Sequence, residues 1–187
     1  MGKKDESIET AKRAHQLDPL SLHLNSLLVS IFFVNRCFDE ALEYARRAIE
    51  MDENYTFVYF HQGLAYVSKG LYQEAIAAFQ KLLSLTGEVP LTIGLLGSAY
   101  GRAGQKDEAL KMLERMNELS KTTFFRPFYY FCIYMGLGEM DQAFECLEKA
   151  YMEGDPWMVI CGFSPHLDPL RSYPRFPELL KKIGFEN

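Results

Sequence analysis

The sequence predicts an all-α protein in which pairs of helices stack into an α-solenoid. Small, aromatic and glycine positions each return at a step of 34 residues along the chain of 187. A fixed period of this length is typical of arrays in which each helix pair buries its apolar face only against its neighbours. The three series are Ala41, Ala75, Ala109 and Ala143; Phe32, Tyr66, Tyr100 and Tyr134; and Gly70, Gly104 and Gly138.

The N-terminal segment is predicted to be a single helix rather than a pair. Apolar residues at three-residue steps, from Ile8 to Leu17, share one face of a helix predicted over residues 3–17. Pro19 ends it, because proline disfavours helix in the residue before it. In the 34-residue register this is the second helix of a repeat whose first helix is absent. We interpret residues 1–21 as a half repeat, which suggests a fragment or a missing neighbour.

Four full repeats are predicted next, each with an A helix, a turn and a B helix. Gly63 and Gly97 stand where the A and B helices cross, and a small residue there lets the two backbones approach. Val29 and Phe131 replace it in the first and fourth repeats, so we expect Phe131 to widen the fourth crossing. Arg36 replaces the glycine of the first A–B turn, where a left-handed conformation is cheap only for glycine. The predicted repeats are residues 22–55, 56–89, 90–123 and 124–157.

The residues after the fourth repeat leave the 34-residue register and are predicted to cap the array. Four prolines in residues 158–187 exclude a long helix over most of this segment. A final short helix has Phe176 and Leu180 on one face and lysines on the other. A terminal element that is apolar on one side only suits the end of such an array. We therefore predict one domain over residues 1–187 with a C-terminal cap.

The period and its residue positions resemble the tetratricopeptide repeat (TPR). The resemblance extends over nearly the whole chain, and the second repeat matches best. It implies a right-handed α-solenoid of about four TPR helix pairs, with a leading half repeat and a C-terminal capping helix. It also implies that the A helices line a concave groove that binds a partner. The matching positions of the second repeat are Gly63, Tyr66, Gly70, Ala75 and Phe79.

A second resemblance concerns the C-terminal end, which looks like that of a group of bacterial multi-domain TPR proteins. In that group the repeats follow a winged-helix DNA-binding domain, a nucleotide cyclase domain or a kinase domain. The resemblance implies a regulatory or partner-binding segment. Tyr173 departs from the group, which usually has an aspartate there that would cap the last helix. The matching positions are Asp155, Pro156, Trp157, Asp168, Pro169, Leu170, Arg171, Pro174, Arg175 and Phe176.

Projecting the TPR register onto the chain places a set of aromatic and apolar A-helix side chains in the groove. Such a surface is typical of a site that binds an apolar helix or an extended peptide. The positions that would hold lysine and asparagine in a carboxylate clamp contain neither, so we exclude a carboxylate-clamp site. In the alternative interpretation the phenylalanines belong to the core or are covered by the chain's own tail. The candidate groove residues are Phe33, Phe57, Phe60, Leu64, Arg102, Phe125, Phe128 and Cys132.

Composition and motif content argue against several classes of function. The net charge of −5 argues against nucleic acid as a partner of this segment. The four cysteines form no CxxC pair and the histidines no HxxxH motif, so neither a metal site nor a cofactor is predicted. Without a phosphate-binding loop, a nucleophile elbow or a dinucleotide fingerprint, no catalytic residue is predicted. Without an apolar run of membrane-spanning length or a signal region, we expect a cytoplasmic protein with no membrane contact.

The sequence therefore predicts a non-catalytic scaffold that binds a protein or peptide partner in its concave groove. Two alternatives stay open. The chain is a regulatory or sensor segment of a larger bacterial transcription regulator or nucleotide cyclase, as the C-terminal resemblance implies. Otherwise it is a self-assembling module, a homo-oligomer in which the unpaired N-terminal helix packs on another copy.

Overall fold

Helices form all of the regular structure in the part of the chain that the structure describes, residues 3–122 and 124–185. This computed structural model has ten α-helices and two 3₁₀ helices, and no strand occurs in those ranges. The predicted all-α class is confirmed. The chain divides into two compact units, Met1–Thr86 and Gly87–Asn187. Within the described ranges, none of the helices combines the length and the apolar composition needed to cross a membrane.

The first unit contains one unpaired helix and two helix pairs. α2 packs against α3, and α4 packs against α5. α2 also lies against α4, and α1 packs on α2. The single N-terminal helix predicted from the sequence is confirmed with the same bounds. The helices are α1 (Lys3–Leu17), α2 (Leu22–Val34), α3 (Phe38–Met51), α4 (Thr56–Lys69) and α5 (Tyr72–Thr86).

The second unit contains two further helix pairs and the C-terminal tail. α6 packs against α7 and α8 against α9, and α6 also makes an extensive contact with α8. Prolines occupy the first turns of α6 and α8, where the missing N–H has no helical partner to lose. The helices are α6 (Pro90–Arg102), α7 (Lys106–Ser120), α8 (Pro127–Leu137), α9 (Met140–Met152), the 3₁₀ helices Pro156–Gly162 and Pro165–Ser172, and α10 (Arg175–Lys182).

The turns between paired helices adopt the left-handed conformation that the glycine series predicts. Gly70, Gly104 and Gly138 have φ angles of 74°, 76° and 78°. Arg36 stands at the equivalent turn between α2 and α3 and has a φ of 62°. A residue with a Cβ in this conformation loses about 1–2 kcal/mol relative to the right-handed region. The α2–α3 turn thus has the same left-handed geometry as the other turns, although arginine adopts this conformation less easily than glycine.

Glycines set the closest approach of helices in both units. A Cβ added to Gly63 of α4 would overlap the ring of Phe79 on α5, as the predicted crossing requires. A Cβ added to Gly136 of α8 would overlap the backbone of Ser98 on α6. Phe131, which we expected to widen its crossing, is fully buried, and its ring centroid lies 5.2 Å from that of Phe128. The large residue at this crossing is therefore accommodated inside the core, with Phe128 as a ring neighbour.

The tail after α9 folds as two 3₁₀ helices followed by α10. A side-chain oxygen of Asp155 accepts a hydrogen bond from the backbone N–H of Trp157 at 3.0 Å and so caps the first 3₁₀ helix. α10 buries the apolar face that contains Phe176 and exposes its C-terminal lysines. Arg175 at its start pairs with Glu148 of α9 at 3.0 Å. The predicted capping helix, apolar on one side only, is confirmed.

Candidate interaction surface

The predicted groove residues of the first unit divide into surface and core positions. Phe57 lies in the first turn of α4 and is 42% exposed, and Phe60 is half-buried one turn later. Phe33 of α2 and Leu64 of α4 are buried. Because α2 packs against α4, side chains between the two helices are removed from solvent. This corrects the assignment of Phe33 and Leu64 to an open groove and leaves Phe57 and Phe60 as its surface in this unit.

Four aromatic side chains form a continuous surface cluster at the N-terminal half of α4. They are Tyr55, Phe57, Phe60 and His61, and we call them the α4 patch. The ring centroid of His61 lies 4.4 Å from that of Phe57 and 5.0 Å from that of Phe60. Tyr55, which precedes the helix, places its ring 6.4 Å from Phe57. The spacing of positions 57, 60 and 61 puts all three rings on one face of α4.

His61 is an uncharged member of this patch. Its Nδ1–H donates a hydrogen bond to the carbonyl oxygen of Phe57 at 3.2 Å. Burial lowers the pKa of His61 to about 4, although the hydrogen bond to Phe57 opposes the shift. The ring of Phe33 supports it from α2, with 6.2 Å between centroids. At neutral pH the α4 patch is therefore aromatic and carries no charge of its own.

Two of the four predicted groove residues of the second unit are buried, and the other two are half-buried. Phe128 is only 1% exposed, and the ring of Trp157 in the tail stacks on it with 6.3 Å between the ring centroids. Cys132 is fully buried on the same helix. Phe125 and Arg102 are half-buried. The chain's own tail thus covers Phe128, which corrects the assignment of Phe128 and Cys132 to an open groove and matches the alternative interpretation.

Polar side chains are buried beneath the tail as well. Nδ1 of His166 and the hydroxyl of Ser164 share a hydrogen bond of 2.8 Å, and the tautomer of the ring decides which of the two groups donates. Burial, and after it the charge of Arg102, lowers the pKa of His166 to about 3, while Asp168 opposes the shift. Asp155 lies 3.9 Å from the guanidinium of Arg126. The Arg126–Asp155 pair joins the start of the tail to the start of α8, whereas the Ser164–His166 hydrogen bond lies within the tail.

The buried thiols of this unit are poor nucleophiles. Burial raises the pKa of Cys161 to about 12, and it raises the pKa of Cys132 further still. A thiol in this state holds its proton at neutral pH, and the thiolate is the reactive form. Among residues 3–122 and 124–185, no three His, Cys, Asp or Glu side chains come close enough together to bind a metal ion.

Three residues that shape these surfaces were not predicted from the sequence. His61 lies four positions after Phe57, so helical spacing alone could have placed it in the α4 patch. Tyr55 lies just outside α4, where the helical register does not apply. Trp157 belongs to the tail, which leaves the 34-residue period, and the period therefore gave no position for its ring.

Comparison with known families agrees with this repeat architecture. Models described as tetratricopeptide repeat match residues 27–90 and residues 132–152. A model described as PPR repeat matches residues 94–120, which contain most of α6 and α7. The matches support the tetratricopeptide repeat family and show a repeat protein of this type.

Individual relatives share parts of the chain. A TPR repeat-containing protein of Methanocaldococcus jannaschii is 32% identical over 93 residues, which are 50% of this chain and 28% of the relative. The chain therefore spans less than a third of that protein's length.

Solved structures share the fold. MamA is 30% identical with a TM-score of 0.58, and the match includes 63% of this chain and 64% of MamA. YrrB, described as a TPR protein, is 22% identical over 94% of this chain and 91% of its own, with a TM-score of 0.57. A chain of the APC/C hetero-tetramer Cut9–Hcn1 is 15% identical over 96% of this chain and 36% of its own, with a TM-score of 0.66. The predicted solenoid class of TPR-type helix pairs is confirmed.

Proposed function

We propose that this TPR-type repeat protein is a non-catalytic scaffold that binds an apolar protein or peptide segment on the α4 patch. The observation that supports this most is the exposed ring of Phe57, which is in contact with His61 at the surface. TPR proteins are generally interaction scaffolds, and YrrB is described as having an unusual peptide-binding site. Of the eight groove residues predicted from the sequence, the proposed binding surface keeps Phe57 and Phe60.

The α4 patch suits an apolar ligand for two physical reasons. Phe57 and Phe60 offer two rings on one helix face, and burying a phenylalanine contributes about 1.5–3 kcal/mol. His61 is neutral, so docking beside it does not require a charge to be desolvated. Phe33 of α2 contacts the ring of His61, and α2 packs against α4, so the patch is supported by the core. A surface that is ordered before binding loses little conformational entropy when a partner binds.

The chemistry of the ligand follows from the shape of this patch. The rings at positions 57, 60 and 61 lie along one face of α4. An apolar helix or extended segment can lie along such a surface and place its large side chains against the rings. We therefore expect a partner segment with at least one large aliphatic or aromatic side chain. Charged segments, including nucleic acid, gain nothing from an uncharged aromatic surface.

The other hypotheses from the sequence stay predictions. They are a regulatory segment of a larger bacterial regulator, self-assembly into a homo-oligomer, and a cytoplasmic location without membrane contact. The first two make different predictions for the α4 patch. In a regulatory segment the patch binds another domain of the same polypeptide, whereas self-assembly would make this chain its own partner.

A matched pair of variants tests the proposal. Phe57→Glu places a charge in the α4 patch, and Phe163→Glu does the same at a phenylalanine that is 40% exposed in the second unit. Tagged wild-type protein and both variants are incubated with extract from the organism that encodes them, and retained proteins are quantified by mass spectrometry. We expect proteins that wild type and Phe163→Glu retain and Phe57→Glu loses. Identical retention by all three, with unchanged circular dichroism, would contradict the proposal.

A further inference from the structure

His61 presents a hydrogen-bond acceptor within the α4 patch. Its Nδ1 lies 3.2 Å from the carbonyl oxygen of Phe57, and a carbonyl oxygen can only accept, so Nδ1 carries the proton. The neutral ring has one proton, which leaves a lone pair on Nε2. Within residues 3–122 and 124–185, Nε2 has no hydrogen-bond partner, and it is not among the atoms buried from solvent. The backbone of α4 thus fixes the tautomer that presents an acceptor to the solvent.

Aromatic rings lie around this acceptor on the helix surface. The ring centroids of Phe57 and Phe60 lie 4.4 Å and 5.0 Å from that of His61. The rings of Phe60 and Phe33 meet the imidazole edge to face, with interplanar angles of 82° and 70°. α2 and α4 contain no acidic residue and one lysine, Lys69, which pairs with an aspartate of α3. Nε2 is therefore a polar atom in apolar, uncharged surroundings.

The charge on Nε2 determines which ligand group complements it. The atom carries a partial negative charge, so the ligand must place an N–H or O–H against it. The burial that lowers the pKa of His61 to about 4 also disfavours an ammonium or guanidinium group beside it, because both are cations. Amide side chains have further polar atoms, which the neighbouring phenyl rings cannot satisfy. An uncharged side chain that is apolar apart from one donor meets these requirements.

The indole of tryptophan is a side chain of this composition. Its Nε1–H only donates, and the rest of the ring system is apolar. The N–H lies at the ring edge, so the indole can pack against Phe57 and Phe60 while its edge faces His61. A tyrosine hydroxyl is a poorer match, because the lone pairs of its oxygen lose water on docking without gaining a donor.

We propose that the α4 patch binds a partner segment through a tryptophan whose indole N–H donates a hydrogen bond to Nε2 of His61. This inference rests on the function proposed for the patch and specifies the side chain that the patch recognises. His61 then determines specificity, and Phe57 and Phe60 supply apolar contact. Such a site discriminates against an analogue without the donor, because docking would leave Nε2 buried without a partner.

Four labelled peptides test this inference. They share the sequence Lys-Ser-Leu-Ala-X-Ala-Leu-Ser-Lys, in which X is tryptophan, 1-methyltryptophan, phenylalanine or lysine. Fluorescence anisotropy measures their binding to the whole chain. We expect the tryptophan peptide to bind at least about tenfold more tightly than the other three, because methylation and phenylalanine remove the donor and lysine adds a charge. Phe57→Glu should abolish the binding of the tryptophan peptide.

The variant His61→Phe separates the hydrogen bond from the bulk of the added methyl group. It should bind the tryptophan and 1-methyltryptophan peptides equally, since the acceptor is gone, whereas a steric effect would persist. Gln62→Leu, which changes a half-buried amide at the next position, should keep the tenfold preference. A proton–nitrogen correlation spectrum of the histidine side chains adds an independent readout. Nε2 of His61 should be unprotonated in the free chain, and its resonance should shift when the tryptophan peptide binds.

Several results would overturn this inference. They are equal binding of the tryptophan and 1-methyltryptophan peptides, tighter binding of the lysine peptide, a preference that survives in His61→Phe, and a protonated Nε2 in the free chain. Equal binding of the three aromatic peptides that Phe57→Glu abolishes would remove the role of His61 and leave the scaffold function in place. No binding of any peptide up to about 1 mM would overturn the tryptophan assignment. The retention of extract proteins by Phe57→Glu then decides the proposed function separately.

Discussion

The ring of Trp157 lies nearly parallel to that of Phe128, with 19° between their planes and 6.3 Å between their centroids. This contact joins the tail to α8 and removes from solvent a phenylalanine that the repeat register assigns to a binding groove. In this unit the chain supplies its own occupant for part of the predicted groove. The α4 patch in the first unit keeps exposed aromatic rings.

The burial of Phe128 predicts a large loss of stability when its ring is removed. Phe128→Ala should lower the free energy of unfolding by about 3–5 kcal/mol, the usual effect of truncating a fully buried phenylalanine. Urea denaturation followed by circular dichroism measures the change. Phe57→Ala is the control and should lower stability clearly less than Phe128→Ala, because Phe57 is 42% exposed whereas Phe128 is 1% exposed. Equal effects would show that both rings have the same structural role.

Arg36 predicts a gain in stability on substitution by glycine. Its φ of 62° disfavours a side chain by about 1–2 kcal/mol, whereas glycine loses about 0.5–1 kcal/mol more backbone entropy on folding. Arg36→Gly should therefore stabilise the protein by about 0.5 kcal/mol. The reverse change at an equivalent turn, Gly70→Ala, should destabilise it by a similar amount, since Gly70 has a φ of 74°. Thermal unfolding of both variants checks the opposite signs.

The contact of α6 with α8 predicts that a single added methyl group is harmful. In Gly136→Ala the new Cβ would meet the backbone of Ser98, which cannot move without shifting α6. We expect a loss of at least about 1–3 kcal/mol, the range typical of overpacking. Alanine at Gly104 or Gly154 would not test this contact, because both glycines have a positive φ and their substitution strains a turn instead. A stability of Gly136→Ala equal to wild type in urea would contradict this packing.

His166 predicts that acid weakens the fold. Its folded-state pKa of about 3 lies below its ordinary value of 6.5, so the unfolded chain binds a proton that the folded chain does not. The stabilisation is complete above pH 6.5 and is lost as the pH falls towards 3. Between pH 7.5 and pH 5 this single group should remove about 2 kcal/mol.

Urea unfolding at the two pH values, on wild type and on His166→Gln, isolates this contribution. The variant should lose about 2 kcal/mol less between pH 7.5 and 5 than wild type does. His23→Gln changes an exposed histidine and should keep the wild-type difference. An unaltered pH dependence in His166→Gln would show that folding does not lower the pKa of His166 and would contradict this prediction.

The repeat period predicted most of the fold and only part of the site, for a physical reason. Positions such as Gly63 and Gly70 are determined by steric limits that return in every helix pair, so spacing alone locates them. Exposure at a groove position depends on what packs over it. Phe57 and Phe128 both lie on A helices, yet Phe57 is exposed whereas the ring of Trp157 packs on Phe128, and the tail that contains Trp157 follows no period. Sequence spacing therefore placed both rings on their helices without distinguishing the exposed one.

Site-specific photo-crosslinking at position 57 can establish whether the α4 patch contacts a partner. p-Benzoylphenylalanine replaces Phe57 in one sample and Phe163, the control of matched exposure, in the other, and both are irradiated in extract from the native organism. We expect a discrete adduct from position 57, which Phe60→Glu reduces, and no adduct of the same mass from position 163. The same adduct from both positions, or none from position 57, would contradict it.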